Sequence, residues 1–493
     1  LRDVAYQTLF KSERQGYHAK VADWLIGATQ NSGRVGEFAP IIAEHYELSG
    51  KFTLAAEWYT NAGARAKNQG APAQALTFYD RALALLTSGA TPPAQDENFE
   101  RRWQALIGRD EVLGILGETE KRMADDATLV DMAESVADDF HLAEAYYRQG
   151  YYLGVSGQYQ KEYEAYVSGL AAAVRAHDRK REAMILGLKV FCEVRLGDLA
   201  TVAQTAVEAL QCAEELGDDE VLARILTNVS SFYTETGDIG QTTQLLERGL
   251  SIIRRIGNIE GEVIGLSNLG YAYILLGMTD EAIPALQRCI KLAQAIDHRS
   301  FRVYGSLNLG LAHLRGDDPT LAVTELEQCL VEFEAMNDVV DHSTCQTYTA
   351  MAKERIGRIS EALVGFERAA RKLVEIGTIG YAYDAKAGIA RCLLARNDLE
   401  AAKQLAAQLW DYLQQGKVGM EFPLLGYETC ADIFEVTGEA PMARRIIEAG
   451  FQELMIRANR ISLPKLRQSY LERVPEHQRI RARWQEYSKT SQV

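Results

Sequence analysis

A chain of 493 residues, 47% hydrophobic and 25% charged with only 10 prolines, has the make-up of a folded, helix-rich protein rather than a disordered one. Its formal net charge of −15 opposes wholesale binding to a phosphate backbone, so nucleic acid is not an expected partner. The longest apolar runs fall far short of the ~20 residues that span a bilayer, and no basic-then-apolar signal peptide opens the chain.

The first residue, Leu1, already stands inside what reads as a helix, so a longer parent protein is expected. Leu1 to Thr29 reads as two helices, and residues 1–34 are assigned to a helical linker. Over 35–87, Ala43, Tyr46, Gly50, Ala55, Tyr59 and Ala62 make one short-helix unit. Gly63, Gly70, Ala75, Tyr79 and Ala82 make another that shares its middle helix. The conspicuous linker from Thr87 to Asp96 (TSGATPPAQD) marks a sub-domain boundary.

From 97 to 458 the chain repeats every 40 residues, as nine extended units. A turn residue closes the first helix of each pair at Gly117, Gly157, Gly197, Gly237, Gly277, Asp317, Gly357 and Asn397, and one residue late at Gly438. A second set of breaks, at His177, Gly217, Gly257, Asp297, Asn337 and Gly377, runs half a period out of phase. Two breaks per period leave room for two helices of roughly 17 residues, the signature of a helical solenoid in which each repeat packs on its neighbours. Residues 260–296 show the unit most clearly. Leu266, Leu269, Gly270 and Tyr273 recur at helical spacing, Gly277 stops the helix, and Thr279 is placed to cap the next. Ala282, Leu286 and Cys289 form the inward stripe of that second helix, and Gly270 and Ala282 let the two helices approach closely. Cys289 and Cys329, one period apart, read as core residues. All seven cysteines are scattered without paired spacing, which points to a reducing, cytoplasmic setting.

Residues 459–493 read as capping helices and a tail. Within Arg444–Lys489, 11 Lys/Arg stand against 5 Asp/Glu, a pattern read as a solvated face of the cap. No segment has the Gly-x-x-x-x-Gly-Lys-Ser/Thr form that cradles phosphate, and Gly257, Gly261 and Gly265 read as turning and close-packing glycines. The eight histidines are spread singly, without metal-ligand spacing. His313 reads as a core or groove-lining residue, and His18 and His45 as packed between helices. Asp125–Asp126 and Asp138–Asp139 are assigned to helix ends, as solvated or capping groups. No catalytic residue, metal site or cofactor is therefore expected in this chain.

The stretch LSNLGYAYILLGMTDEAIPAL, from Leu266 to Leu286, resembles a near-consensus tetratricopeptide unit. LNLGLAHLRGDDPTLAVTEL and the run around Ala362, Phe366 and Ala369 resemble it more loosely. The family's usual unit is ~34 residues, shorter than this one; similar extended repeats occur in kinesin light chains and in sensor regions of bacterial signalling ATPases. Both ends strengthen that second likeness. LRDVAYQTLFKSERQGYHAKVADWLIGAT, AEHYELSG at Ala43, AAEWYTNAGARA at Ala55 and LPKLRQSYLERVPEHQRIRARW at Leu463 resemble the C-terminal region of bacterial STAND-type and AAA-type ATPases. Such proteins often carry an upstream nucleotide-binding module, some with a class III nucleotidyl cyclase, kinase or DNA-binding domain. The resemblance implies an all-α, right-handed superhelical solenoid of about 24 helices. It also implies a regulatory role towards an upstream ATPase or switch domain.

Asn228, Asn268 and Asn308 recur one period apart, nine residues before their turn markers. In a tetratricopeptide pair this position faces the concave groove, where Asn offers a donor and an acceptor to an extended peptide; kinesin light chains resemble this in using groove asparagines to hold peptide main chain. The alternative is a ladder bonding neighbouring helices. Arg148, Leu188 and Tyr348 take the equivalent places in flanking repeats. One turn on come Tyr151, Phe191, Ser231 and Tyr271, then Arg195, Glu235, Arg315 and Arg355. This mixed aromatic and charged lining suits a peptide or protein partner or a small polar effector. The expected function is a non-catalytic sensor and protein-interaction module, with self-association of the parent, or regulation of a cyclase or ATPase, as alternatives.

Overall fold

The computed structural model describes residues 9–30, 33–86, 97–196, 199–416 and 419–490. The start of the expected N-terminal linker, the Thr87–Asp96 linker and the Gly197 turn lie outside the described residues. Among the described residues are 24 α-helices, one short 3₁₀ helix and no strand. Packing divides the chain into two compact units: Leu1–Ala145 with Ala293–Ser300, and Tyr146–Leu292 with Phe301–Val493.

The first unit holds α1 (Lys11–Gln30), α2 (Ala39–Leu48), α3 (Phe52–Asn68), α4 (Pro72–Leu86), α5 (Phe99–Leu116) and α6 (Thr119–Val136), then the start of α7 (Asp139–Val155). His18 and His45 meet between α1 and α2, Nδ1 to Nδ1 at 2.8 Å. The Tyr79 ring lies in a slot made by two glycines. A Cβ on Gly63 would come within 2.8 Å of that ring, and one on Gly108 within 2.3 Å. Asp125 and Asp126 correct the expectation of a helix end: they sit inside α6 and are buried. Arg109 grips Asp125 through both oxygens, at 2.8 and 2.5 Å, and reaches Asp80 at 2.9 Å. A carboxylate there is stable because the guanidinium supplies two parallel donors. Asp138 does behave as a cap, accepting the His141 N–H at 3.0 Å.

The second unit runs from α7 through paired helices of nearly constant length. These are α8 (Tyr159–Arg175), α9 (Arg179–Leu196), α10 (Leu199–Leu216), α11 (Asp219–Glu235), α12 (Ile239–Ile256), α13 (Ile259–Leu275) and α14 (Thr279–Ala295). The end of α14, the turn at Asp297 and the first residues of α15 (Arg299–Arg315) belong to the first unit. From Phe301 the second unit continues with the rest of α15, then α16 (Pro319–Ala335), α17 (Val339–Arg355), α18 (Ile359–Glu375), α19 (Ile379–Ala395) and α20 (Leu399–Gln414). The chain ends with α21 (Pro423–Val436), α22 (Ala440–Arg460), α23 (Pro464–Glu472) and α24 (Pro475–Thr490).

Turn chemistry explains the rhythm. Gly277 adopts φ +71°, its N–H bonds the Ile274 carbonyl, and the Met278 N–H returns to Tyr273, so the last carbonyls of α13 are satisfied. The same left-handed residue recurs at Gly157, Gly237, Gly257 and Gly357 and, without glycine, at His177, Asp297, Asn337 and Asn397. Side chains of Asp218, Asp238, Asn258, Asp338 and Asp398 then accept N–H groups from the first turn of the following helix. Two expectations fail locally. Thr279 is the first residue of α14, so it stands inside the helix and not at the cap. Asp317 is not left-handed. There the carbonyls of Leu314 and Gly316 are held by the Arg355 guanidinium, reaching across from α17.

Several hairpins pair a small residue on one helix with a larger one on the other. A Cβ on Gly270 would lie 2.6 Å from Leu286, and one on Gly310 would lie 2.7 Å from Leu326. One period on, Ala350 and Phe366 occupy the same two places, both fully buried. One hairpin inverts the assignment, with Val190 against Ala206. The division of space between the two helices drifts from hairpin to hairpin, a small residue on one helix leaving room for a larger one on the other. Cys289 and Cys329 are buried core thiols, and burial pushes each up to about 12.

Within this unit the coil closes on itself. Arg460 donates to the Thr236 carbonyl and Gln244 reaches Ser462, across 224 and 218 residues of sequence. The turn at Gly157 packs against Ile376, the turn at Gly237 against Arg457, and the turn at Gly277 against Arg473. Ser469 Oγ donates to the Leu276 carbonyl at 2.8 Å. Glycine at these turns leaves the neighbouring coil room to approach.

Candidate functional site

The first helices of successive pairs in the second unit (α9, α11, α13, α15, α17 and α19) present one face inward, and residues three, four and seven apart share it. Two clusters form there. In the first, the Arg195 guanidinium lies over the Phe191 ring at 4.4 Å and the Tyr159 ring at 5.2 Å, and donates to Tyr159 Oη at 2.7 Å. Burial works to discharge it, but Tyr159, Tyr381, Asp341 and Glu162 around it hold the group charged and raise its pKa. Burial pushes Glu162 up to about 7, and its Oε2 is buried with no hydrogen bond among the described residues. Burial and neighbouring Asp338 raise Asp341, opposed by Arg195. Glu235 is raised by burial against the pull of Arg195 and Arg457.

The second cluster is built on Glu421. Tyr271 donates to its Oε1 at 2.6 Å, and Tyr348 donates to the same oxygen. Asp384 accepts the N–H groups of Glu421 at 2.8 Å and Phe422 at 3.0 Å, fixing the segment that carries the carboxylate. Burial pushes Glu421 up to about 7; burial, then Glu421 itself, raises Asp384. Beside it Arg315 lies over the Phe422 ring at 5.1 Å and donates to Glu476, on α24, at 2.6 Å. A cavity of about 60 Å³ remains between these groups, too small for a peptide.

Over α13, α15 and α17 the inner face is therefore not free to take an extended peptide, as the expected concave groove would be. The connection between α20 and α21 is longer than the other turns between the repeats of the second unit, and together with the start of α21 it lays Met420–Leu424 across that face. Tyr271, Tyr348 and Arg315 are occupied from within the chain.

The remaining candidates are dispersed along the strip. Asn308 Nδ2 donates to Ser267 Oγ at 3.2 Å and to the Ser267 carbonyl at 3.4 Å, tying α15 to α13. Asn228 abuts Gly187 of α9, where a Cβ would lie 3.1 Å from its Nδ2. Asn228 and Asn268 are half-buried in the same register. Ser231 Oγ donates back to the Asn228 carbonyl in its own helix at 2.7 Å. Arg148 is buried, Tyr151 is exposed and Arg355 caps α15. Tyr159, Asp341, Tyr381, Asp384 and Glu421 were missed. Asp341, Tyr381 and Asp384 lie four or seven residues before the ladder positions of α17 and α19, so extending the inward stripe two turns towards the N-terminus finds them. His313 is half-buried, its Nε2 3.8 Å from Glu325, and burial lowers its pKa. Among the described residues no group of three or more His, Cys, Asp or Glu is placed to hold a metal ion. No described helix is long and apolar enough to cross a membrane.

Comparison with known proteins bears on the fold. The profile of the tetratricopeptide repeat family matches residues 265–296. The crystal structure of a Rap protein complexed with competence and sporulation factor superposes with a TM-score of 0.54 at 14% identity, over 74% of this chain and 99% of that one. A STAND protein with a tetratricopeptide repeat sensor from Pyrococcus horikoshii gives 0.40 at 15% identity. That match covers 80% of this chain, which spans only 55% of the other's length. The Rap conjugation gene regulator of plasmid pLS20, in complex with the Phr* peptide, gives 0.49 at 14% identity, over 70% and 97% of the two chains. No curated protein matches. Stacked helix pairs of tetratricopeptide type are thus the fold.

Proposed function

We propose that this chain is a non-catalytic sensor and protein-interaction module that takes a peptide or protein segment on the inward strip of its second unit. The observation that carries this reading is the Arg195 cluster. A charged guanidinium stacked on two aromatic rings, facing carboxylates from other repeats, is a polar recognition surface where a purely structural coil needs only apolar contact. The Rap structure of like fold is itself a complex with a factor. In the parent protein the module would regulate an upstream signalling ATPase, a role supported by the N- and C-terminal motifs described above. Binding would act through a difference in affinity between two arrangements of the coil; equal affinity would shift nothing.

The test is to pan a random-peptide library on the full chain and rebind the recovered peptides to R195Q and to the triple variant N228A/N268A/N308A. Loss of affinity in R195Q is the expected outcome. Peptides that bind the parent and both variants equally place recognition elsewhere.

A further inference from the structure

A cleft of about 790 Å³ lies between the C-terminal parts of α15, α17 and α19, the body of α21 and one face of α24. Its floor is apolar: on the repeat side Leu425 is half-buried over a base where Leu314 and Met351 are buried, and Ala482 on α24 is exposed. Five guanidinium groups stand around that floor, and four are neutralised. Arg315 pairs with Glu476 at 2.6 Å. Arg391 holds Glu354 through two bonds, at 2.7 and 2.8 Å, and donates to Thr429. Arg479 grips Glu428, and Arg483 bridges Asp432 at 2.5 Å and Glu435 at 2.6 Å.

Arg355 is different. It makes no ion pair among the described residues; its Nη1 donates to the carbonyls of Leu314 and Gly316, and its side chain is exposed. The cleft thus offers one uncompensated cation beside an aliphatic surface, in a volume within the ~300–1,000 Å³ of small-ligand sites. A polycation would meet arginine on every side. A polyanion would find four of five guanidinium groups already bound to carboxylate.

We propose that this cleft binds an amphiphilic monoanion, a medium-chain aliphatic carboxylate whose anionic end sits on Arg355 and whose chain lies between Leu425 and Ala482. Because Ala482 forms the opposite wall, such a ligand bridges α24 to the repeats. The site stands apart from the Arg195 cluster and does not depend on it.

Calorimetric titration of the full chain with octanoate, octanol and octylamine tests the assignment. Octanoate is expected to bind saturably at one site, at least tenfold more tightly than octanol, with no binding of octylamine. Two variants locate it. R355Q removes the charge while keeping a donor for the two carbonyls, and should weaken octanoate at least tenfold. A482W fills the cleft from an exposed position and should abolish binding with the circular dichroism spectrum unchanged. Equal affinities for octanol and octanoate, unaltered affinity in A482W, or no saturable binding would each overturn the proposal.

Discussion

Gly270 and Leu286 face each other across the hairpin of α13 and α14, and a side chain at 270 has nowhere to go. A Cβ there would lie 2.6 Å from both Cγ and Cδ2 of Leu286, which is fully buried. Overpacking of this kind costs ~1–3 kcal/mol, and the helix-propensity gain on replacing glycine returns less than ~1 kcal/mol. Gly270→Val should therefore destabilise the second unit by about 2 kcal/mol. Leu286→Ala empties a fully buried site and should cost ~2–5 kcal/mol. In the double variant valine fills part of the space that leucine vacates, the arrangement Val190 and Ala206 already show in another hairpin. The double variant should be less destabilised than the sum of the singles, with a coupling of about 2 kcal/mol. Urea titration by circular dichroism measures the cycle, and hydrogen exchange in α13 and α14 shows whether the loss is local. An unchanged midpoint in Gly270→Val, or strictly additive costs, refutes the packing argument.

Three further outcomes follow from other parts of the molecule. Ala137 holds φ +52° at a turn where glycine or asparagine usually stands, so Ala137→Gly should raise stability by about 1 kcal/mol in a thermal melt. Glu421, pushed up to about 7 from 4.5 by burial, keeps its proton in the folded chain at pH values where the unfolded chain has lost it. Its contribution is full below about 4.5 and is lost as pH rises through 7, by at most about 3 kcal/mol. Glu421→Gln should flatten that part of the stability profile between pH 5 and 8, leaving the slope due to Asp384 and Glu235; an unchanged slope rejects the assignment. Asn308→Ala should cost about 1 kcal/mol by removing the tie to Ser267, and a stability equal to the parent in chemical denaturation counts against it.

The repeat architecture was legible because its punctuation is written in residue types. Gly277, Asn337 and Asn397 tolerate the left-handed turn, and Asp238 or Asn258 starts the next helix. Ala137 makes the same turn without any such mark and passes unnoticed. Asp317 carries the mark but not the conformation, since the carbonyls it would have served are bonded by Arg355 instead. The inward stripe was legible for the same periodic reason, down to Phe191 and Arg195 sharing one face. What covers it was not. Glu421 stands in a connection with no repeat counterpart, and its meeting with Tyr271 and Tyr348 depends on how far the coil turns before α20. Spacing cannot supply that curvature. Nor could it show that Asp125 is buried, because its partner Arg109 lies on another helix.

The contacts between Thr236 and Arg460, and between Leu276 and Ser469, change how the second unit should answer to force. A tetratricopeptide coil held only by contacts between neighbouring repeats would stretch like a spring, extending gradually. Here each winding is stitched to the next, so pulling the ends should meet stiff resistance and then a sudden yield. Removing the final helices would unstitch an inner winding as well, and leave the remainder slack.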